Sequence, residues 1–319
     1  MNKIYALVIA AVIIATGCAA AVLIRENGNG NETSTEDGEG WPRIITDAGG
    51  NVVELEKKPE RIALLHTVYL EYLLALGVVP AASAGASVGT AADAVNTWAT
   101  LESYRDSTEN IIDLGSAREL SLEAILDSDP DVIITFVGHA GVDIIYDRLV
   151  MIAPVVLMNY SDTWQEQMKD LAEIVGKESE ALKVIEEIEE IVYSAKNTLS
   201  SKDKTFAIFR TGGGKSFITR GDAGYYEMFG LKAPQGWPTE MGPVLTLEAV
   251  AGMNPDYIVF QDTLSASKMF VESQEAFATW GALEAVKNNN VFFFDDSLNS
   301  LGPLTLKLTA QLLLDVYSE

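Results

Sequence analysis

The hydrophobic and polar positions of this 319-residue chain fall into blocks of different period. Ile4 to Ile24 is an uncharged run of 21 residues between Lys3 and Arg25, and about 20 apolar residues suffice to cross a bilayer as a helix. Residues 1–25 therefore read as a membrane signal. Glu26 to Gly40 has no hydrophobic residue and five carboxylates, so it cannot bury enough surface to offset its ordering entropy and reads as a tether. A globular pattern starts at Trp41. Arg43 to Leu55 predicts two short strands around Gly49-Gly50. Arg61 to Leu65 predicts a buried strand, Glu71 to Leu76 a helix stopped by Gly77, and Val79 to Ala84 the next strand. Strand, helix, strand at this spacing predicts a parallel α/β layer.

One segment occurs twice. Ser121-Leu-Glu-Ala-Ile-Leu-Asp-Ser-Asp-Pro-Asp-Val-Ile-Ile-Thr135 matches Thr246-Leu-Glu-Ala-Val-Ala-Gly-Met-Asn-Pro-Asp-Tyr-Ile-Val-Phe260, 125 residues later. In each copy a hydroxyl residue can cap a short helix, an Asp/Asn-Pro-Asp ends it, and an apolar run makes a buried strand. The repeat implies two lobes of similar build. Between the copies, Leu182, Ile185, Ile188, Val192, Ala195 and Leu199 recur at spacings of three and four, with Glu186, Glu187, Glu189 and Glu190 between them. That pattern predicts a long amphipathic helix, a rod permitting small rocking more readily than wide hinge closure. Thr205 to Phe209, Phe217 to Thr219 and Val291 to Phe294 read as strands, Tyr225 to Phe229 as a helix stopped by Gly230, and Leu304 to Tyr317 as a closing helix. The expected fold is thus α/β, with two Rossmann-like lobes (41–175 and 201–319) joined by one backbone helix (176–200), after an anchor (1–25) and a tether (26–40).

Charge narrows the partners. The chain carries 22 Lys+Arg against 46 Asp+Glu, a net charge of −24, which argues against nucleic acid because phosphate backbones are bound by clustered cations. The single cysteine, Cys18, excludes an intrachain disulfide and a Cys-rich metal site. Ala15-Thr16-Gly17-Cys18 resembles a lipoprotein cleavage box, although the apolar run continues past it; an uncleaved signal anchor and a lipid anchor both remain open. Either places the rest of the chain outside the membrane, and the Asn31-Glu32-Thr33 sequon agrees with export.

Catalytic motifs are absent. Gly212-Gly-Gly-Lys-Ser216 looks like part of a phosphate loop, but the position that should carry its first glycine is Phe209 and the residues that follow read as a strand, so a glycine-rich hairpin is the better reading. His66 and His139 both follow apolar strands, where ligands of open α/β sheets are met; each is either an ordinary loop side chain or a ligand contact. Tyr69, Phe136, Arg210 and Trp237 occupy comparable loops and could clasp a flat or anionic ligand by stacking and charge-assisted hydrogen bonds.

From about Ile44 onward the chain resembles the substrate-binding proteins of ABC importers for ferric siderophores, haem and cobalamin. The resemblance is carried by Thr46-Asp-Ala-Gly-Gly-Asn-Val52 with Pro59-Glu-Arg-Ile62, Ala75-Leu-Gly-Val78, Asp113-Leu-Gly-Ser116, both Leu-Glu repeats, and Trp280-Gly-Ala-Leu-Glu-Ala-Val-Lys-Asn-Asn-Asn-Val291. The Thr46-Asp47 start resembles the iron-complex branch more than the cobalamin branch. The resemblance implies that Glu123 and Glu248 dock against arginines of the permease, that Phe136 and His139 occupy ligand-facing positions, and that Asp296 matches a ligand-facing aspartate. Where relatives often place an Arg or Trp, this chain has Ala117 beside Arg118. With His66, Tyr69 and His139 as potential axial ligands, haem rivals a ferric siderophore. Lys215, Arg118 and Arg210 are the local cations that would hold an anionic complex against the overall charge.

The expectation is a monomeric, non-enzymatic binding protein tethered to the outer face of the cytoplasmic membrane. It would carry no cofactor, bind an iron complex, and serve an ABC permease with its cytoplasmic ATPase. A chelatase-like metal-handling enzyme is the rival of another class, disfavoured by export and the missing nucleotide motif. A receptor's sensor domain is a third reading, disfavoured because no second span follows.

Overall fold

The short apolar runs assemble into two five-stranded sheets in a computed structural model that describes residues 40–86 and 90–318. The expected anchor, Cys18 and all of the tether but Gly40 lie outside the described residues. Among the described residues no helix is long and apolar enough to cross a membrane.

The first sheet has the order Ile112–Asp113, Ala82–Ser83, Ile62–Leu64, Val132–Phe136, Val155–Met158, and every neighbouring pair is parallel. Its central strands are buried on both faces, as the unbroken apolar runs require. The strand expected over Val79 to Ala84 shrinks to Ala82–Ser83. The second sheet has the order Val244–Leu245, Phe217–Thr219, Phe206–Arg210, Tyr257–Gln261, Val291–Phe294. Here the similarity of the lobes ends, because the last three strands pair in parallel while Phe217–Thr219 runs against both of its neighbours. The cause is Gly212-Gly213-Gly214. All three have positive φ, at 59°, 74° and 84°, so the chain folds straight back as a hairpin where the first lobe uses crossovers.

The repeat occupies equivalent places. Ser121 Oγ and Thr246 Oγ1 accept the third N–H of the helices Leu122–Asp127 and Leu247–Met253, each at 3.2 Å. Each helix leads through a left-handed residue before proline, Asp129 (φ 46°) or Asn254 (φ 41°), into the fourth strand of its sheet. Both polar residues are types that tolerate this region. Because each helix turns back tightly into a strand, its N-terminus, with Glu123 or Glu248, lies toward the carboxyl edge of its sheet.

Helix Glu178–Ser200 follows helix Trp164–Val175 across the left-handed Gly176. Its 23 residues span about 35 Å at ~1.5 Å each. Ala181 and Ile185 join the core of the first lobe, while Ile188, Ala195 and Leu199 join that of the second. Leu182, expected on the buried face, is instead 60% exposed; the inward stripe runs one position earlier, through Ala181. The four intervening glutamates face solvent as expected.

A second element ties the halves together. Helix Pro303–Ser318 packs on Glu178–Ser200 and on Leu70–Ala75 of the first lobe. Glu71 is buried at this seam, where it accepts hydrogen bonds from Thr305 N at 2.8 Å, Ser300 Oγ at 2.5 Å and Thr305 Oγ1 at 3.3 Å. The carboxylate thereby satisfies orphan donors in the first turn of the helix and complements its dipole. Burial pushes the carboxyl upward, and the Ser300 and Thr305 donors only partly oppose it. A Cβ at Gly302 would push the Glu71 carboxylate out of its place among these donors. Nearby, Ala99 N donates to Asp295 Oδ1 at 3.1 Å and Thr100 N to Ser297 Oγ at 3.3 Å, also across the seam.

Glu71→Ala should cost about 3 kcal/mol in urea unfolding, because the donors it serves stay buried without an acceptor. A loss under about 1 kcal/mol would show that the seam does not depend on this carboxylate.

Candidate functional site

The seam contacts come from segments that leave the carboxyl edges of both sheets: Glu71 lies in the first turn of helix Leu70–Ala75, which follows the strand Ile62–Leu64, and Asp295 follows Val291–Phe294. The two ligand-facing edges therefore converge, and each contributes one wall.

The wall of the first lobe is aromatic. Phe136 ends the strand Val132–Phe136 and stacks on His139 with centroids 4.7 Å apart and planes 8° from parallel. His66 meets Phe136 edge-on at 5.6 Å and His139 at 5.9 Å. Tyr160 packs on Phe136 at 5.3 Å while remaining 56% exposed. Tyr160 was missed by the sequence reading, although it stands two residues past the strand Val155–Met158, where the strand-end rule could have found it.

Neither histidine offers a free lone pair. His139 is buried, with Nε2 2.6 Å from the Ala117 carbonyl oxygen and Nδ1 2.7 Å from Thr135 Oγ1. A carbonyl can only accept, so Nε2 carries the proton and the Thr135 hydroxyl donates to Nδ1. Burial lowers its basicity despite the Ala117 hydrogen bond. His66 Nδ1 accepts the Val68 N–H at 3.0 Å, capping a short 3-10 turn. Its neutral ring then carries a proton on Nε2. Burial, with His139 beside it, pushes His66 down to about 4. Tyr69 is fully buried and packs beneath Phe136 at 6.4 Å; burial pushes its phenol well up, so a metal-binding phenolate is disfavoured. Of the three expected axial ligands, His139 thus has both ring nitrogens engaged and His66 its Nδ1, while the Tyr69 hydroxyl is buried without a hydrogen-bond partner.

The wall of the second lobe is charged. Arg210 ends the strand Phe206–Arg210 and pairs with Asp296 Oδ1 at 3.1 Å. Arg220, just past Phe217–Thr219, and Asp262, just past Tyr257–Gln261, line the same open cavity of about 570 Å³ with Arg210, Gly212 and Met241. Asp262 resists burial: Thr211 N at 2.9 Å, Thr263 N at 2.8 Å and Thr211 Oγ1 at 2.9 Å outweigh desolvation and hold its carboxyl low. Arg220 is half-buried, and burial and then Arg210 lower its basicity. Arg220 and Asp262 escaped the sequence reading; Asp262 directly follows a parallel apolar strand, where the strand-end rule could have found it, whereas Arg220 follows an antiparallel strand that the rule does not cover.

The remaining expectations divide. Trp237 does not line this cavity; it packs against Phe209 at 5.2 Å and Tyr226 at 6.1 Å, between the two core clusters of its lobe. Lys215 is exposed in the glycine hairpin, which is the turn expected there and not a phosphate loop. Arg118 is exposed in the turn beside Ala117, joining two-residue strands. Glu123 and Glu248 are exposed in the first turns of the repeat helices.

Residues 62–298 match the family described as periplasmic binding protein. The chain belongs to that family. Among curated members of this kind, it is 28% identical over 312 residues to the iron(3+)-hydroxamate-binding protein FhuD of Bacillus subtilis, covering 89% of this chain and 91% of that one. It is 26% identical over 298 residues to the probable siderophore-binding lipoprotein YfiY of the same organism, covering 87% and 88%. The fold matches the petrobactin-binding protein YclQ of Bacillus subtilis with a TM-score of 0.69, 18% identity, and coverage of 88% of this chain and all of that one. The family consists of solute-binding proteins.

A histidine whose basicity is depressed in the folded state supports folding above its unfolded value, and that support is lost as pH falls through the folded value. Between pH ~6.5 and 4 the wild type should therefore lose about 2 kcal/mol of unfolding free energy that His66→Gln retains. Parallel chemical-denaturation curves of the two proteins across that range would disprove the burial of His66.

Proposed function

We propose that this chain is the extracytoplasmic solute-binding component of an ABC importer and that its cargo is a ferric siderophore. The observation carrying the proposal is the convergence of an aromatic wall (His66, Phe136, Tyr160) and an arginine-bearing wall at the carboxyl edges of two sheets, where Arg210 ends its strand and Arg220, from the neighbouring antiparallel strand, lines the same cavity. Aromatic faces cover the apolar body of a chelate, and guanidinium groups donate to the oxygens that ring the metal. Curated relatives named for iron(3+)-hydroxamate and ferric enterobactin binding support the same cargo. The engaged nitrogens of His66 and His139 favour iron that arrives fully coordinated over haem or a corrinoid needing a protein ligand.

In this reading the chain makes and breaks no bond. Residues 1–25 hold it to the outer face of the cytoplasmic membrane, through Cys18 or an uncleaved span. It works as a monomer, and helix Glu178–Ser200 acts as the stiff link between lobes, so binding is signalled by small displacements. Glu123 and Glu248 project at the ligand-facing edge of each lobe and meet cationic residues of the permease. Their simpler role, favourable charge at a helix N-terminus, explains one glutamate; its recurrence at one spacing in both lobes supports docking.

Titration with ferric hydroxamate, ferric catecholate and haemin, followed by tryptophan fluorescence, should show saturable quenching by a siderophore complex. Binding of haemin alone would defeat the proposal. Reversing Glu123 and Glu248 to Arg should leave chelate affinity within about twofold while abolishing stimulation of the permease ATPase, and unchanged stimulation would remove the docking role.

A further inference from the structure

Two guanidinium groups and two carboxylates stand at the charged wall, and they cancel. Arg210 and Arg220 supply the cations; Asp262 and Asp296 supply the anions. Asp262 is committed to Thr211 and Thr263. Asp296 is the carboxylate that acts on the arginines: its Oδ1 pairs with Arg210 at 3.1 Å, and its charge also reaches Arg220. Asn299 Nδ2 donates to the same oxygen at 2.7 Å and fixes its position. The neighbouring Asp295 is occupied at the seam by Ala99 N and Ser297 N. Across the cleft, His66 and His139 are neutral and Phe136 and Tyr160 carry no charge. Arg118 and Lys215 are exposed on turns outside the cavity lining.

Resting on the siderophore reading above, we propose that Asp296 sets charge selectivity: by occupying Arg210 it leaves a cleft without net charge, fitted to a neutral ferric tris-hydroxamate and adverse to a trianionic ferric tris-catecholate. Three singly charged hydroxamates neutralise ferric iron, whereas three doubly charged catecholates leave a threefold negative complex. A trianion would meet Asp296 and Asp262 at short range, within a chain of net charge −24, and Arg210 already spends its charge on Asp296. A neutral complex faces no such opposition and gains from the aromatic wall. Asp296 thus acts on the ligand through Arg210, as a positioning and screening residue, in place of the direct contact its location first suggests. Burial pushes its carboxyl up and Arg210 pulls it back, as expected of a carboxylate retained for its partner.

Fluorescence titration of the full chain with ferrichrome, a neutral tris-hydroxamate, and ferric enterobactin, a trianionic tris-catecholate, tests this. The wild type should bind the hydroxamate at least about tenfold more tightly. Asp296→Asn keeps an acceptor for Asn299 and should raise catecholate affinity about tenfold, with a steeper salt dependence, while moving hydroxamate affinity less than about twofold. Adding Arg210→Gln to that variant should erase the gain, and Asp296→Ser should reproduce it should the Asn variant fold poorly. Tighter wild-type binding of the catecholate, or equal shifts for both chelates, overturns the inference while leaving the siderophore reading intact. Binding of neither chelate overturns the siderophore reading and this inference with it.

Discussion

The geometry of the cleft depends on one buried carboxylate. Glu71 stands in the first turn of helix Leu70–Ala75, one short turn beyond the central strand of the first lobe, and closes onto the opening turn of helix Pro303–Ser318. A buried charge with a single partner is costly, but one that accepts several donors at a helix N-terminus is fixed in place by them. The same loop carries His66 and Tyr69, and the residues that grip Glu71 follow Asp295 and Asp296 within ten positions. Holding Glu71 therefore sets the distance between the aromatic wall and the charged wall. Gly302 reports the tightness of this fit, since even a methyl group would displace the carboxylate.

The walls themselves are prepared in different ways. On the first lobe, polarity is withdrawn: the ring nitrogens of His139 are turned inward to Thr135 and Ala117, and His66 spends Nδ1 on the backbone. What remains facing outward is ring surface. On the second lobe, polarity is kept but balanced, with Asp262 locked by backbone donors and Asp296 shared with Arg210. Both arrangements are preorganised, because the hydrogen bonds that fix them are made within each lobe and do not await a ligand. Such a site has little left to assemble on binding.

Much of this was legible in the sequence, and the failures have a common cause. Local signals succeeded: the Ser121 and Thr246 caps, the stop at Gly230, the glycine hairpin and the long amphipathic helix are all fixed by neighbours within a few residues. The strand-end rule singled out His66, Phe136 and Arg210, and the family resemblance Asp296, all of which stand at or just past the ends of strands. It could not say which way a side chain turns there: Tyr69 is buried in the first core, and Trp237 is partly buried against those of the second lobe. Nor could it see that His139 is bonded to residues 4 and 22 positions away. Glu71 left no local signal, because its partners lie up to 234 positions downstream.

That separation has a consequence for how the molecule acquires its shape. The two lobes have their own cores, yet the first lobe's helix Leu70–Ala75, besides packing within its own lobe, also packs on helix Pro303–Ser318. A chain emerging from a membrane amino-end first can pair the strands of its leading half early, since those contacts are comparatively local. The Glu71 side chain must wait, solvated and charged, until nearly all of the rest has emerged. Closing of the seam is thus a late event in maturation, and it converts two separately formed halves into one cooperative body. A chain truncated before Ser300 would retain both sheets yet lack the register between them, and so would present its two walls with no fixed distance across which to hold anything.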